Sequence, residues 1–328
     1  MNKIIKIFFF NIIFFLLIFL SVELYLKYFK KNHLEYDKIL GWKLKKNLNL
    51  IKEETDFYNK KYKVEFNTDE NGFISHGNTS KNEIVVIGDS FSTDPYVSSS
   101  KMWHAILANN FKVNKNININ IKVLGAGGYG TLQQYILLQE NKNKLNPKII
   151  IMQFCSNDFE NNYLHLEKLK GSINQYSRRP FIKNGDIIYA EDFFSRILRL
   201  KYFGESRIIN KIIFLIFNKE YNKKISEEHF KNSEIITMEL LKKIRKIFPN
   251  KDYYIFNCNL EKIDLDFYAK EANYKLLNNI KKNLKKAKND SQKIYFRDGG
   301  HYNELGNKII GDSVYEDLKK LNIFINLK

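Results

Sequence analysis

Cysteine is almost absent: Cys155 and Cys258 are the only two in 328 residues. Two thiols make no disulfide framework, and their spacing matches no metal-binding pattern. Both fall at the carboxyl ends of strand-like runs that are candidates for neighbours. We expect two buried thiols there rather than a bridge. Acidic residues are also scarce, 36 against 54 lysines and arginines, for a net charge of +18. A basic chain suits nucleic acid or an anionic membrane surface. Here the lysines are spread through helices and loops instead of forming one basic arm. No RNP-type, zinc-finger or helix-turn-helix signature is present, so no nucleic-acid partner is expected. The chain also lacks internal repeats and low-complexity linkers. Its length allows one sizeable domain with insertions, or two small ones.

A long apolar run is present at the amino terminus. Ile4 to Val22 reads IIKIFFFNIIFFLLIFLSV, about the length that crosses a hydrocarbon core. No small-x-small cleavage site follows it, and bulky Glu23-Leu24-Tyr25-Leu26 stands where one would be. We therefore expect an uncleaved single-pass anchor over residues 1–26. Lys3 and Lys6 lie at the start of the run, while Lys27, Lys30 and Lys31 follow it, a balance that slightly disfavours export of the body.

Residues 27–80 read as a polar lead-in, with short strands and a turn around Leu40–Leu44 and Phe66–Phe73. From residue 81 to 328 strands and helices alternate, the pattern of a parallel sheet covered on both faces. The strands are expected at Ile84–Ile87, Ile117–Leu124, Lys148–Phe154, Tyr253–Asn257 and Ile294–Phe296. An insertion at about 162–250 interrupts them. It contains a hairpin at Phe181–Tyr189 turning on Asn184-Gly185, then helices near Asp192–Asn218 and Ser226–Phe248. The Phe- and Ile-rich part, Ile208–Phe217, reads as core packing, with membrane contact or an active-site cap as alternatives.

The chemistry lies at the strand ends. Gly88-Asp89-Ser90-Phe91 follows the run Ile84–Ile87 and sets a serine in a tight turn at a strand terminus. Taken alone it is ordinary turn chemistry. Three later blocks follow in order: Gly125-Ala126-Gly127-Gly128-Tyr129-Gly130-Thr131, Ser156-Asn157-Asp158, and Asp298-Gly299-Gly300-His301. A serine needs a base, and His301 is the one histidine in a DxxH setting. A histidine needs an acceptor to fix its tautomer, and Asp298 lies three residues before it. Glycine N–H groups and an amide side chain can bind an oxyanion. Each residue also has a plainer reading, as a turn or helix-start residue. Cys155 has no base near it in sequence and is a poor rival to Ser90.

Together these blocks resemble the SGNH/GDSL hydrolase family over Ile84 to Leu318. The resemblance implies an α/β fold, a three-layer α/β/α sandwich on a five-stranded parallel sheet. It implies Ser90, Asp298 and His301 as catalytic residues. Ser90, Gly128 and Asn157 would form the oxyanion hole, with no metal or cofactor. It also implies a body facing out of the cytoplasm, periplasmic or at the cell surface. The expected activity is a membrane-anchored serine esterase, with an acyl-ester substrate such as an acylated glycan or lipid. An O-acyltransferase fed by a multi-span donor, a lysophospholipase and a non-catalytic binding protein remain alternatives. The pattern departs from the family at two places. Cys155 stands where a glycine is common, and Gly125 where an asparagine is, both of which bear on loop geometry.

Overall fold

The apolar run after Glu83 becomes the middle of the sheet. In the computed structural model, which describes residues 3–29, 32–77, 82–169, 177–217, 226–260, 263–321 and 323, Ile84, Val85, Val86 and Ile87 are all fully buried. A strand covered on both faces is a central one.

The chain opens with helix α1 (Lys3–Phe29), then strands β1 (Leu34–Asp37), β2 (Gly41–Leu44), β3 (Asn49–Thr55), β4 (Lys61–Asn67) and β5 (Ile74–His76). The central part runs β6 (Glu83–Gly88), α2 (Ser90–Thr93), α3 (Trp103–Lys115), β7 (Asn120–Gly125), α4 (Thr131–Asn141), β8 (Pro147–Phe154) and α5 (Asn157–Asn161). Then come α6 (Leu164–Leu169), β9 (Phe181–Lys183), β10 (Asp186–Ile188), α7 (Phe193–Leu198), α8 (Lys201–Glu205), α9 (Arg207–Phe217) and α10 (Glu227–Arg245). The chain closes through β11 (Asp252–Asn257), α11 (Leu265–Glu271), β12 (Lys275–Leu276), α12 (Asn279–Asn289) and α13 (Glu304–Lys320).

The main sheet has the order β12-β11-β8-β6-β7-β5. Five of its strands are parallel, and β5 pairs with β7 antiparallel. Helices α3, α12 and α13 pack together on one side, and α4, α5 and α10 on the other. The three-layer α/β/α expectation holds, with six strands in place of five. Two edges account for the difference. β5 comes from the lead-in, within residues 27–80. The expected strand Ile294–Phe296 does not join the sheet. It folds back on itself, with Phe296 N–H on His301 O (2.6 Å) and Asn303 N–H on Ile294 O (3.1 Å), so that Tyr295 bridges only Tyr302. Lys275–Leu276 takes the edge beside β11 instead.

The Asn184-Gly185 turn forms as expected, with φ of 53° and 86° at its two central residues. The helix expected over 192–218 is broken into α7, α8 and α9. Gly204 lies so close to Leu198 O and the Tyr36 ring that a Cβ there would sit 2.6 and 2.7 Å from them. Asn218, Lys30 and Lys31 fall outside the described residues, as does the boundary at 80 and 81. Helix α1 is long and apolar enough to cross a membrane by length and composition, an 18-residue stretch of it having a mean hydropathy of 2.6.

The two cysteines are joined. β11 pairs in register with β8 up to Asn257 opposite Phe154. Cys258 and Cys155 are therefore the next residues on adjacent strands, with Cα atoms 5.4 Å apart, and they form a disulfide. This corrects the expectation of two separate thiols.

β5 is tied to the helix layer by a histidine pair. His76 Nε2 donates to His104 Nδ1 (2.7 Å), and His104 Nε2 donates to Ser92 O (3.0 Å). Burial pushes both rings down, His76 to about 4, and His76 further lowers His104. Both are neutral in the fold, while the unfolded chain protonates them near pH 6.5. The unfolded state thus binds more protons below that pH, so stability should fall as pH drops from about 6.5 to about 4. Melting temperatures across this window test it. The slope should shrink in His76→Gln/His104→Gln. An unchanged slope would put the acid sensitivity in carboxylates elsewhere.

Candidate active site

Ser90 is the first residue of α2, two residues past the end of β6. Asp89 caps this short helix, its carboxylate accepting from Phe91 N–H (3.1 Å). As a first-turn residue, Ser90 has an N–H that the helix itself does not use. Its hydroxyl donates to His301 Nε2 at 2.9 Å. His301 Nδ1 in turn donates to Asp298 Oδ2 at 2.5 Å. The tautomer follows from this network. Residues 211 apart in sequence thereby form one line of hydrogen bonds.

The Asp298–His301 turn orients the imidazole. Asp298 Oδ1 accepts from Gly300 N–H (2.9 Å) and His301 N–H (3.0 Å), and Gly299 takes a φ of 71°. Burial opposes ionisation of Asp298. The hydrogen bonds from the His301 backbone and ring and from Gly300 outweigh it, and the carboxyl sits below its usual range. The imidazole is also held by its faces. Tyr96 stacks on it at 4.3 Å between centroids, and Phe91 lies at 5.3 Å.

Beneath the serine lies a buried polar knot. Gln153, on β8, accepts from Asp89 N–H (3.2 Å) and Ser92 Oγ (2.8 Å) through Oε1. Its Nε2 donates to Asp89 Oδ1 (2.9 Å). Burial raises the Asp89 pKa, with the Gln153 hydrogen bond opposing it. Gln153→Leu should leave the Asp89 N–H and the Ser92 hydroxyl proton without their acceptor, at about 1–3 kcal/mol for each. A denaturant midpoint that does not move would show that the knot carries no stability.

β7 and β8 flank β6, so the loops after them border the Ser90 turn. In the loop after β7, Trp42 Nε1 donates to Gly127 O (2.9 Å) and Arg179 Nη2 to Gly128 O (2.6 Å). The Gly127–Gly128 peptide is trans, so the Gly128 N–H points away from Trp42. Gly128 has φ 76°, which suits glycine. A Cβ on Gly127 would lie 2.3 Å from Asp94 Oδ1, so the loop presses against the short helix that starts with Ser90.

In the loop after β8, Asn157 is the first residue of α5. Its neighbour Asp158 anchors the turn. Asp158 accepts from Cys155 N–H (2.8 Å), Thr131 Oγ1 (3.0 Å) and Gln134 Nε2 (3.2 Å). Burial, then the nearby Asp89, pushes its pKa well up. Asn157 itself is half-buried, and its amide makes no hydrogen bond among the described residues.

The structure thus joins Ser90, His301 and Asp298 directly. It sets Gly128 and Asn157 on the bordering loops without a hydrogen bond to Ser90. Sequence reasoning missed Gln153, Tyr96 and Trp42. Gln153 had a signal, as the one polar residue inside the buried run Ile149–Phe154. A hydroxyl bonded to a ring nitrogen that a carboxylate orients can lose its proton as it attacks a carbonyl. Among the described residues no cluster of His, Cys, Asp and Glu suits a metal ion.

A family model described as GDSL-like lipase/acylhydrolase matches residues 84–314. No curated protein matches the chain. Among solved structures, the psychrotrophic esterase EstA from Pseudoalteromonas sp. is 13% identical, with a TM-score of 0.43 over 74% of this chain and 98% of its own. A variant of Axe2, an acetyl xylan esterase from Geobacillus stearothermophilus, is 11% identical, with a TM-score of 0.43 over 73% and 95%. TesA is 11% identical, with a TM-score of 0.42 over 73% and 99%.

Proposed function

This chain belongs to the GDSL-like lipase/acylhydrolase family and is an ester-hydrolysing serine hydrolase, and from that we propose that Ser90 is its nucleophile, His301 its general base and Asp298 the group that orients His301. The observation that carries this is the line Ser90 Oγ–His301 Nε2–His301 Nδ1–Asp298 Oδ2, at 2.9 and 2.5 Å. Ser90 attacks the ester carbonyl as His301 takes its proton. The N–H groups of Ser90 and Gly128 and the Asn157 amide hold the oxyanion. His301 then protonates the leaving alcohol, and water resolves the acyl-enzyme.

The body is held at a membrane by α1 and faces out of the cytoplasm. The bulky Glu23-Leu24-Tyr25-Leu26 that stands where a small-x-small cleavage site would be supports the anchor. The Cys155–Cys258 disulfide supports an oxidising compartment. The substrate is a short acyl ester, such as an O-acyl group on an exported glycan. The crowding of Ser90 by Phe91, Tyr96, Met102 and Tyr302, with only a water-sized gap among them, supports a short acyl group over a long one.

Two measurements test these readings. Purified full-length chain should cleave acetyl esters faster than long-chain esters. Preference for long chains would overturn the short-acyl substrate. A reporter that works only in the cytoplasm, fused after Lys328, should stay silent. A bright signal would overturn the outward orientation.

A further inference from the structure

Helix α1 is not a free tether. Most of its described residues are exposed, but Phe19, Glu23 and Leu26 are half-buried. Their spacing of four and three puts them on one helix face, and α9 covers that face. The Glu23 carboxylate accepts from the N–H groups of Arg207 (2.8 Å) and Ile208 (3.1 Å) and from Ser206 Oγ (3.0 Å). It therefore satisfies the orphan donors at the start of α9. The Arg207 guanidinium donates back to the Leu26 carbonyl. Two helices far apart in sequence are clamped together at the start of α9.

Between α1, α9 and the lead-in lies a cavity of about 1070 Å³. Its lining has two natures. Phe19 and Leu20 of α1, with Ile209 and Phe214 of α9, give it an apolar wall. Lys27, Lys45 and Arg207 line it as well. Burial, with Arg207 and Lys27 close by, holds the Lys45 ammonium below its ordinary value. Of the acids at the cavity, Glu23 is taken up by α9, Glu35 also faces Lys43 at 3.9 Å, and Glu205 is exposed. Farther along α9, Ile212, Leu215 and Ile216 are 46%, 67% and 58% exposed. They continue the uncovered apolar surface of α1, and contiguous surface of this kind marks an interaction site. A ligand with an anionic head and an apolar tail matches both walls at once.

We propose that this cavity holds an anionic phospholipid of the bilayer that α1 enters, its phosphate against Lys27, Lys45 and Arg207 and an acyl chain against Phe19, Leu20, Ile209 and Phe214, with the exposed face of α9 in the membrane interface. The proposal rests on the reading of α1 as a membrane anchor. The body is then seated on the membrane at two points, by a spanning helix and an interfacial one.

Native mass spectrometry of the full-length chain in non-ionic detergent tests the site. Titrated with phosphatidylglycerol, it should retain one lipid per chain, and phosphatidylcholine should be retained more weakly. Lys27→Gln/Lys45→Gln should weaken phosphatidylglycerol retention on the order of 10- to 30-fold. Ile209→Trp, which fills the apolar wall, should weaken both lipids. Equal retention by the wild type and both variants would overturn the site. Displacement of the lipid by millimolar inorganic phosphate would reduce it to a simple anion site and overturn the lipid assignment. Flotation with phosphatidylglycerol vesicles separates the two readings. A chain that floats but shows unchanged retention in the variants sinks the lipid site alone. A chain that does not float sinks the anchor and the site together.

Discussion

Replacing Ser90 with alanine is expected to lower ester hydrolysis by about 10⁶-fold, and His301→Ala by a similar amount. The two groups meet at 2.9 Å and act on one proton. The double variant should therefore lose little more than either single one, because members of such a unit are strongly non-additive. Asp298→Ala should leave more residual activity, since Tyr96 and Phe91 still hold the ring by its faces. A serine-directed phosphonate should label Ser90 in the wild type and not in Ser90→Ala. Full esterase activity in Ser90→Ala would end the reading of Ser90 as nucleophile and move that role to another residue.

Asn157→Ala is expected to reduce turnover on the order of 100- to 1000-fold, the range for one lost oxyanion donor. The melting temperature should barely move. The reason is local. Asp158, not Asn157, carries the hydrogen bonds that fix the turn after β8. The Asn157 amide makes none among the described residues, so its loss leaves the fold's own network whole. The corresponding Asp158→Ala should behave in the opposite way, with a clear loss of stability. Normal turnover in Asn157→Ala would move the oxyanion role to another donor.

The strand-end blocks were legible in the sequence because their chemistry is local. A glycine, a capping aspartate and a serine after a buried run announce a turn whatever the rest of the chain does. The same holds for the Asn184-Gly185 hairpin, where two positive φ angles are demanded by the turn itself. Features that depend on pairing between distant segments were not legible. Ile294–Phe296 has the composition of a strand, but its hydrogen bonds go to its own return segment. Ile74–His76 looks like part of a polar lead-in, yet it finds the open side of β7. The partition of the helix expected over 192–218 is set partly by Tyr36 and Glu23, residues more than a hundred and fifty positions away. Gln153 was visible as a polar intruder in an apolar run. Its partners, Asp89 and Ser92, became known only with the register of β6 against β8.

The bridge between Cys155 and Cys258 has a bearing on how the chain matures. With two cysteines there is a single intramolecular pairing, so oxidation cannot scramble within one molecule. The amino-terminal thiol leaves the ribosome first, and its partner follows only after the whole insertion has been made. Until then Cys155 is open to pairing with another copy, and the covalent error available to a nascent chain is a dimer. In the fold the bridge joins the carboxyl ends of β8 and β11, which lie in register beside the loop that carries Asn157. Oxidation thus tethers these two strands at their carboxyl ends, and a bond formed early shortens the search of β11 for β8.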